Sequence, residues 1–211
     1  MSSSTQQYFV SGIDTGAGKT LVAAILTQGL RATYWKPVQT GYPPDSDTET
    51  VRKLAPDAKA LLPEAYRYAL PQSPHWAAAA EGKRIDPESL KLPEVTGPLI
   101  LEGAGGLMVP LNEESLIIDW LARLQLPVVL VVRLYLGCIN HSLLSVLALQ
   151  QYNLPLAGIV FSGNAQPEVQ QAILEYSGAH CIGRVPELPD FRPATLQQVF
   201  DEFRLPNPPA R

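Results

Sequence analysis

Nine consecutive residues near the start of the chain have types that suit one task, the holding of a polyphosphate: Gly12-Ile13-Asp14-Thr15-Gly16-Ala17-Gly18-Lys19-Thr20. Glycines let successive backbone N–H groups curl around phosphate oxygens. A helix starting just after the loop turns its positive end toward the same anion. Lys19 is spaced to reach the β- and γ-phosphates of a nucleotide, and Thr20 to place its hydroxyl on Mg²⁺. Five residues separate Gly12 from Gly18, one more than in the standard G-x-x-x-x-G-K-[ST] loop, so this is a variant. A glycine-rich turn with a chance Gly-Lys-Thr is the competing reading; the apolar run before the loop and the helical pattern after it speak against that.

A nucleotide with Mg²⁺ needs oxygen ligands besides the loop hydroxyl. Asp47 and Glu102 are the candidates. Glu102 ends the apolar run Leu99-Ile100-Leu101 and opens Gly103-Ala104-Gly105-Gly106, and a carboxylate buried there requires a cation or a donor. Asp47 shares its stretch with Asp45 and Glu49, so it could equally be a helix cap. Lys36, in Trp35-Lys36-Pro37-Val38, stands at the end of another apolar run, where a cation would stabilise a transferring phosphoryl group; a solvated surface lysine is the alternative.

Positioning these groups is the work of alternating elements. Strands are expected at Tyr8–Ser11, Ala32–Val38, Pro98–Glu102, Val128–Val132, Leu156–Phe161 and Cys181–Gly183. Helices are expected at Lys19–Leu30, Asp45–Leu54, Ile139–Leu149, Val169–Tyr176 and Thr195–Phe203, and Leu61–Pro74 reads as irregular. Val128–Val132 is continuous and β-branched, as parallel strands covered on both faces are. The alternation predicts an α/β fold, a mostly parallel sheet with helices on both faces, in a single domain over residues 1–211. Ligands of such sheets lie beyond the carboxyl ends of the strands. The loop at 12–20, the segment at 36–41, the glycines after Glu102 and the stretch Leu136–His141 all fall at such ends.

The bulk properties exclude other classes. At 211 residues the chain is long enough for a core without staples, and its 46% hydrophobic and 17% charged residues are those of a soluble globular protein. A net charge of −4 without a Lys/Arg run gives no surface for nucleic acid. Leu126–Val132 is too short to cross a bilayer, and polar Met1–Gln7 lacks the apolar core of a secretion signal. Two cysteines, Cys138 and Cys181, suit a reducing compartment, and a cytoplasmic protein is expected.

Taken together, the special segments resemble the dethiobiotin synthetase family along nearly the whole chain. The resemblance rests on Phe9–Thr15 with Gly18-Lys19-Thr20; Lys36-Pro37-Val38 with Thr40-Gly41; Ser46-Asp47; Ser73-Pro74-His75; Glu102–Gly106; Leu136-Gly137-Cys138-Ile139-Asn140-His141; and Gly183 with Val185-Pro186. The long phosphate loop is that family's own form. The resemblance implies a P-loop NTPase-like domain that uses ATP, Mg²⁺ and CO₂ to convert 7,8-diaminopelargonate to dethiobiotin through a carbamate and a carbamic-phosphoric anhydride. It implies ATP contacts at Gly16, Ala17, Gly18, Lys19, Thr20, Leu21 and Glu102, and around the base at Ser162, Asn164, Val185, Pro186 and Glu187. Mg²⁺ falls to Thr20, Asp47 and Glu102, the chemistry to Lys36, Lys19 and Thr15, and the diamine to Thr40. Gly137, Cys138, Ile139 and Asn140 would receive the substrate carboxylate across a homodimer interface.

Two departures bear on this. The family often has an asparagine where Ser162 stands; either Asn164 substitutes through a shifted loop, or base recognition is looser. Arg133-Leu134-Tyr135 is bulkier than the residues common there and is expected to alter the mouth of the site. Partition and septum-placing ATPases carry a signature lysine five positions before the loop lysine; Asp14 holds that place and argues against that class. A related amidoligase, or a nucleotide-binding module without chemistry, are the alternatives. The first lacks its amidotransferase domain here, and the second does not explain Lys19, Thr20, Lys36, Asp47 and Glu102 all being present. No general-base histidine is required: His75 and His141 are expected to serve as structural hydrogen-bonding residues, and His180 to lie on the surface.

Overall fold

A computed structural model describes residues 6–206, so Met1–Thr5 of the polar N-terminal segment and the last five residues of the expected domain lie outside it. The chain runs β1 (Gln7–Gly12), α1 (Lys19–Leu30), β2 (Thr33–Trp35), β3 (Val38–Thr40), α2 (Asp47–Leu54), β4 (Ala60–Leu62), β5 (Tyr66–Tyr68) and α3 (Pro74–Ala80). It continues with β6 (Leu99–Glu102), α4 (Ile117–Leu124), β7 (Val128–Arg133), α5 (Cys138–Gln151), β8 (Leu156–Ser162), α6 (Pro167–Ser177), β9 (Cys181–Val185) and α7 (Pro193–Asp201). Seven strands form one sheet in the order β4-β2-β6-β1-β7-β8-β9, every neighbouring pair parallel. The α/β class is therefore as expected from the alternation of elements.

Side chains along the strands divide between the two faces with a period of two. Tyr8, Val10, Ile100, Val129 and Val131 pack with α1, α2 and α7. Phe9, Leu99, Leu101 and Val128 meet α3, α4 and the end of α5, while Leu130 and Val132 meet α5 and α6. Both faces are covered by helices, which explains why β7 is apolar from Val128 to Val132.

Three expectations need correction. The strand expected over Ala32–Val38 is two strands, because Pro37 offers no N–H to the ladder. β2 stays in the main sheet, and β3 leaves it to pair with β5 in a separate two-stranded sheet. Leu61–Pro74 is not irregular throughout: β4 overlaps its start and β5 lies within it. The helix expected from Asp45 starts at Asp47, with Ser46 as its cap. Neither α3 nor α4 was anticipated.

At α2 the Ser46 hydroxyl accepts from the Glu49 N–H at 3.1 Å, and the Glu49 carboxylate accepts from the Ser46 N–H at 3.2 Å. This reciprocal cap satisfies two of the helix's free donors. Ser46→Ala should destabilise the protein by about 1 kcal/mol, measured by urea denaturation.

Candidate active site

The phosphate loop bridges the C-terminal end of central strand β1 and the start of α1. Gly18, the residue before the helix, has φ 96°, a left-handed conformation that favours glycine. A side chain on it would also come within 3.0 Å of the Ser162 hydroxyl, so the end of β8 abuts the loop. Lys19 is buried and donates from Nζ to the Asp14 carbonyl at 3.1 Å. Burial, reinforced by the charge of Lys36, holds its pKa below the ordinary lysine value.

Four polar side chains from separate elements meet beside this loop. Lys36 follows β2, Asp47 opens α2, Glu102 ends β6 and Thr20 lies in the first turn of α1. The Lys36 ammonium sits 2.7 Å from Asp47 Oδ2 and 3.0 Å from Glu102 Oε1, and donates to the Gly103 carbonyl at 3.2 Å. Three N–H donors thus meet three acceptors. The Thr20 hydroxyl stands 2.8 Å from Asp47 Oδ1 and 2.9 Å from Glu102 Oε1. Tyr34, fully buried, donates from its hydroxyl to Glu102 Oε2 at 2.8 Å. Lys36 and Glu102 are only 4% and 1% exposed, so Lys36 is not the solvated surface lysine weighed as an alternative, and the Glu102 carboxylate is buried with the partners it requires. Asp47 is not a cap: Ser46 takes that role, and the Asp47 carboxylate turns inward.

The charges sustain one another. Burial alone would lower the Lys36 pKa, but Glu102 and Asp47 overcome it and hold the ammonium above the usual lysine range. Burial would raise the Asp47 pKa, but Lys36 and the Thr20 hydroxyl hold it below the usual carboxylate range. The donor set suits Mg²⁺: all oxygen, with one hydroxyl lying against two carboxylates, and a metal of this kind takes its remaining ligands from phosphates and water. Among the described residues no three His, Cys, Asp or Glu groups are placed to hold a metal on their own.

A cavity of about 670 Å³ opens over this cluster. Thr15, Gly16, Gly18, Lys19, Thr20, Leu21, Lys36, Thr40, Asp47 and Glu102 all line it. So do Gln39 and Ser73, neither of which was assigned a role from sequence. Ser73 lies in a Ser-Pro-His block that was recognised only as part of the resemblance; Gln39 stands between two noted residues and carried no signal of its own.

Other assigned residues lie elsewhere. Gly137–Asn140 do not line the cavity; they border a separate groove of about 600 Å³ with Tyr135, Leu143, Gln166 and Val169. Gly137 has φ 108° and precedes α5, whose first residue Cys138 is buried. Ser162 and the buried Val185 end β8 and β9, and Asn164, Pro186 and Glu187 follow them, Asn164 donating to the Glu187 carboxylate at 3.1 Å. Arg133 and Tyr135 line a third recess with Asp14, Thr15 and Ala17, rather than the mouth of the main cavity. Both cysteines are free thiols. His141 pairs through Nδ1 with the Tyr135 hydroxyl at 2.5 Å, and His180 is exposed. His75 differs from expectation: its Nδ1 is buried with no partner among the described residues, while its backbone N–H donates to the Pro110 carbonyl.

Comparison with known proteins decides between the readings of this geometry. A family model described as an AAA domain matches residues 6–195. An ATP-dependent dethiobiotin synthetase from Agrobacterium fabrum is 45% identical over 195 residues, 92% of each chain. The corresponding protein of Bradyrhizobium is 47% identical over 202 residues, covering 94% of this chain and 96% of its own. The chain belongs to the dethiobiotin synthetase family. Among solved structures, the septum site-determining protein MinD of Pyrococcus horikoshii, complexed with Mg-ADP, superposes with a TM-score of 0.55 at 17% identity over 94% of this chain and 93% of its own. A ParA-family ATPase from Chlorobium tepidum superposes with a TM-score of 0.54 at 11% identity, over 94% and 92%. These two share the fold of this dethiobiotin synthetase relative, and at such identity nothing more follows from them.

Proposed function

We propose that this chain is an ATP-dependent dethiobiotin synthetase, a ligase of biotin biosynthesis acting as a single domain over residues 1–211. It carboxylates 7,8-diaminopelargonate with CO₂ and closes the cyclic urea, releasing ADP and phosphate. The observation that carries this reading is the Thr20–Lys36–Asp47–Glu102 cluster, with Lys36 and Glu102 buried, on the floor of the cavity beside the phosphate loop, in a chain 45% identical to an enzyme of that name.

The chemistry sets demands that these side chains meet. An amine of the substrate attacks CO₂ and loses a proton, giving a carbamate. A carbamate oxygen takes the γ-phosphoryl group, and the bond to ADP breaks. The second amine then attacks the carbonyl carbon, the bond to the phosphate oxygen breaks, and the ring closes. Negative charge gathers on carbamate and triphosphate together. Lys19 offsets it at the phosphates and Lys36 at the carbamate, so that positioning and fixed charge supply most of the rate enhancement. Thr20, Asp47 and Glu102 are suited to hold Mg²⁺, which when bound supplies further charge neutralisation at the phosphates. Thr40, on the cavity wall, is assigned to the diamine, and Thr15, in the phosphate loop on the same wall, to the chemistry at the phosphates. Depth matters as well, because a carbamate shed into water loses CO₂. Ser162, Asn164 and Val185–Glu187 are assigned to the nucleotide base.

The active assembly is a homodimer. Gly137–Asn140 lie outside their own chain's cavity, and a partner's α5 can bring them to a substrate carboxylate, whose charge the start of that helix favours. Leu136, Leu144 and Leu147 leave an apolar surface on and beside α5, the two helical leucines being 55% and 58% exposed. Replacing Leu144 and Leu147 together by Asp should weaken self-association by on the order of a hundredfold, each residue counting twice across a two-fold axis. Sedimentation at graded concentration reads this directly. No described helix is long and apolar enough to cross a membrane, and the free thiols suit a cytoplasmic location.

The deciding experiment is phosphate release from ATP and Mg²⁺ with diaminopelargonate, with and without bicarbonate, with the product identified by mass. Release that needs both substrates, with the mass of the cyclic urea, is the expected result. A folded protein that binds ATP and releases nothing would exclude the synthetase.

A further inference from the structure

We infer that Gln39 is a positioning residue that ties the acid assigned to the metal to the segment assigned to the diamine. The inference rests on the synthetase reading and deepens it. Gln39 is 7% exposed and lies in β3 on the cavity wall. Its Oε1 accepts from the Asp47 N–H at 3.0 Å, and its Nε2 donates to the Thr40 carbonyl at 2.8 Å. A backbone N–H can only donate and a carbonyl can only accept, so these partners admit one orientation of the amide.

The helix does not need this contact in order to start. The Ser46–Glu49 pair already caps α2 from within its own segment. What Gln39 adds is a tie between two elements: it meets a free donor at the head of α2 from a strand eight residues earlier in the chain. The local cap fixes the helix; Gln39 fixes where the head of that helix stands relative to β3. Asp47, from which one oxygen meets Lys36 and the other Thr20, is the residue at that head. An apolar side chain would fill the same wall without burying an amide, so the polar group is accounted for by the two residues it joins. Through Gln39, a shift of Thr40 is transmitted to Asp47.

The test uses the full-length protein and two variants. Gln39→Met keeps the length and removes both hydrogen bonds; Gln39→Glu keeps an acceptor for the Asp47 N–H and removes the donor to Thr40. In ligand-free Gln39→Met, hydrogen exchange at the Asp47 amide, followed by ¹⁵N-resolved spectra, should quicken by about tenfold, with neighbouring α2 amides unchanged. The KM for the diamine and the half-saturating Mg²⁺ concentration should both rise, by about three- to tenfold as expected for a lost hydrogen bond. Gln39→Glu should keep the Asp47 amide protected and still raise the diamine KM. An Asp47 amide equally protected in folded Gln39→Met overturns the inference, as does a rise in neither constant. Should Gln39→Met not fold, loss of Asp47 protection in Gln39→Glu overturns it. A wild-type protein that makes no dethiobiotin defeats the synthetase reading instead, and leaves the exchange measurement to judge the tie by itself.

Discussion

Exchanging Lys36 for methionine should lower dethiobiotin formation by about two to three orders of magnitude, the usual effect of removing one preorganised charge from a developing anion. ADP affinity should change much less, because Lys19 and the loop backbone remain. The same substitution leaves Asp47 and Glu102 facing each other without their cation. Removing one member of a buried ion pair typically destabilises by 3–5 kcal/mol, and with the Asp47 side chain 31% exposed the low end, about 3 kcal/mol, is expected here. The pH dependence has a definite sign. The folded-state pKa of Lys36 is raised, so its contribution is complete below 10.5 and disappears as pH climbs through the raised value. The folded-state pKa of Asp47 is lowered, so its contribution is present above 3.8 and disappears as pH falls through the lowered value. The stability difference between wild type and Lys36→Met should therefore form a plateau across neutral pH and shrink toward both extremes. Urea titrations at a series of pH values check it; a difference that varies steeply around neutrality would contradict the assigned pairing.

Glu102→Gln carries the second large effect. The side chain keeps its shape but loses the charge that faces Thr20 and Lys36. Half-saturating Mg²⁺ should rise by about a hundredfold and turnover should fall by about two orders of magnitude. Folding should suffer less than with Lys36→Met, because Lys36 keeps Asp47 and the Tyr34 hydroxyl can still donate to the amide oxygen. Initial rates against Mg²⁺ at saturating ATP separate the two losses. Unchanged Mg²⁺ dependence in a folded variant would remove Glu102 from the metal site.

Much of this was legible in the amino-acid sequence because the signals are local. Gly12–Thr20 announces itself by composition, and Glu102 by following a run too apolar to leave a carboxylate unpaired. The continuous β-branched stretch at 128–132 could only be a strand covered on both sides. What escaped depends on tertiary contacts. Residues 60–68 contain two strands of three residues, too short for any period to register. The departure of the chain from the main sheet at Pro37 needed the pairing of β3 with β5 to be seen. Tyr34 looks like any strand tyrosine until β6 brings the Glu102 carboxylate within 2.8 Å of it. Gln39 likewise gains meaning only when α2 folds back upon β3. Sequence thus marks residues whose type is unusual for their place, and not ordinary residues that acquire partners from afar.

The order of strands across the sheet also bears on how the chain is made. β1 is made before either of its sheet neighbours: it lies at the centre of the sheet and pairs on both sides with strands that follow it by about 90 and 120 residues, β6 (Leu99–Glu102) and β7 (Val128–Arg133). A nascent chain that stops before Leu99 holds β1 without either of its sheet neighbours. Thr20 must likewise wait for Glu102, 82 positions away. Contacts so distant along the chain slow folding and prolong the exposure of sticky edges. The phosphate loop therefore gains the flanking strands of its sheet, and Thr20 its Glu102 partner, only once the segments at 99–102 and 128–133 have been made.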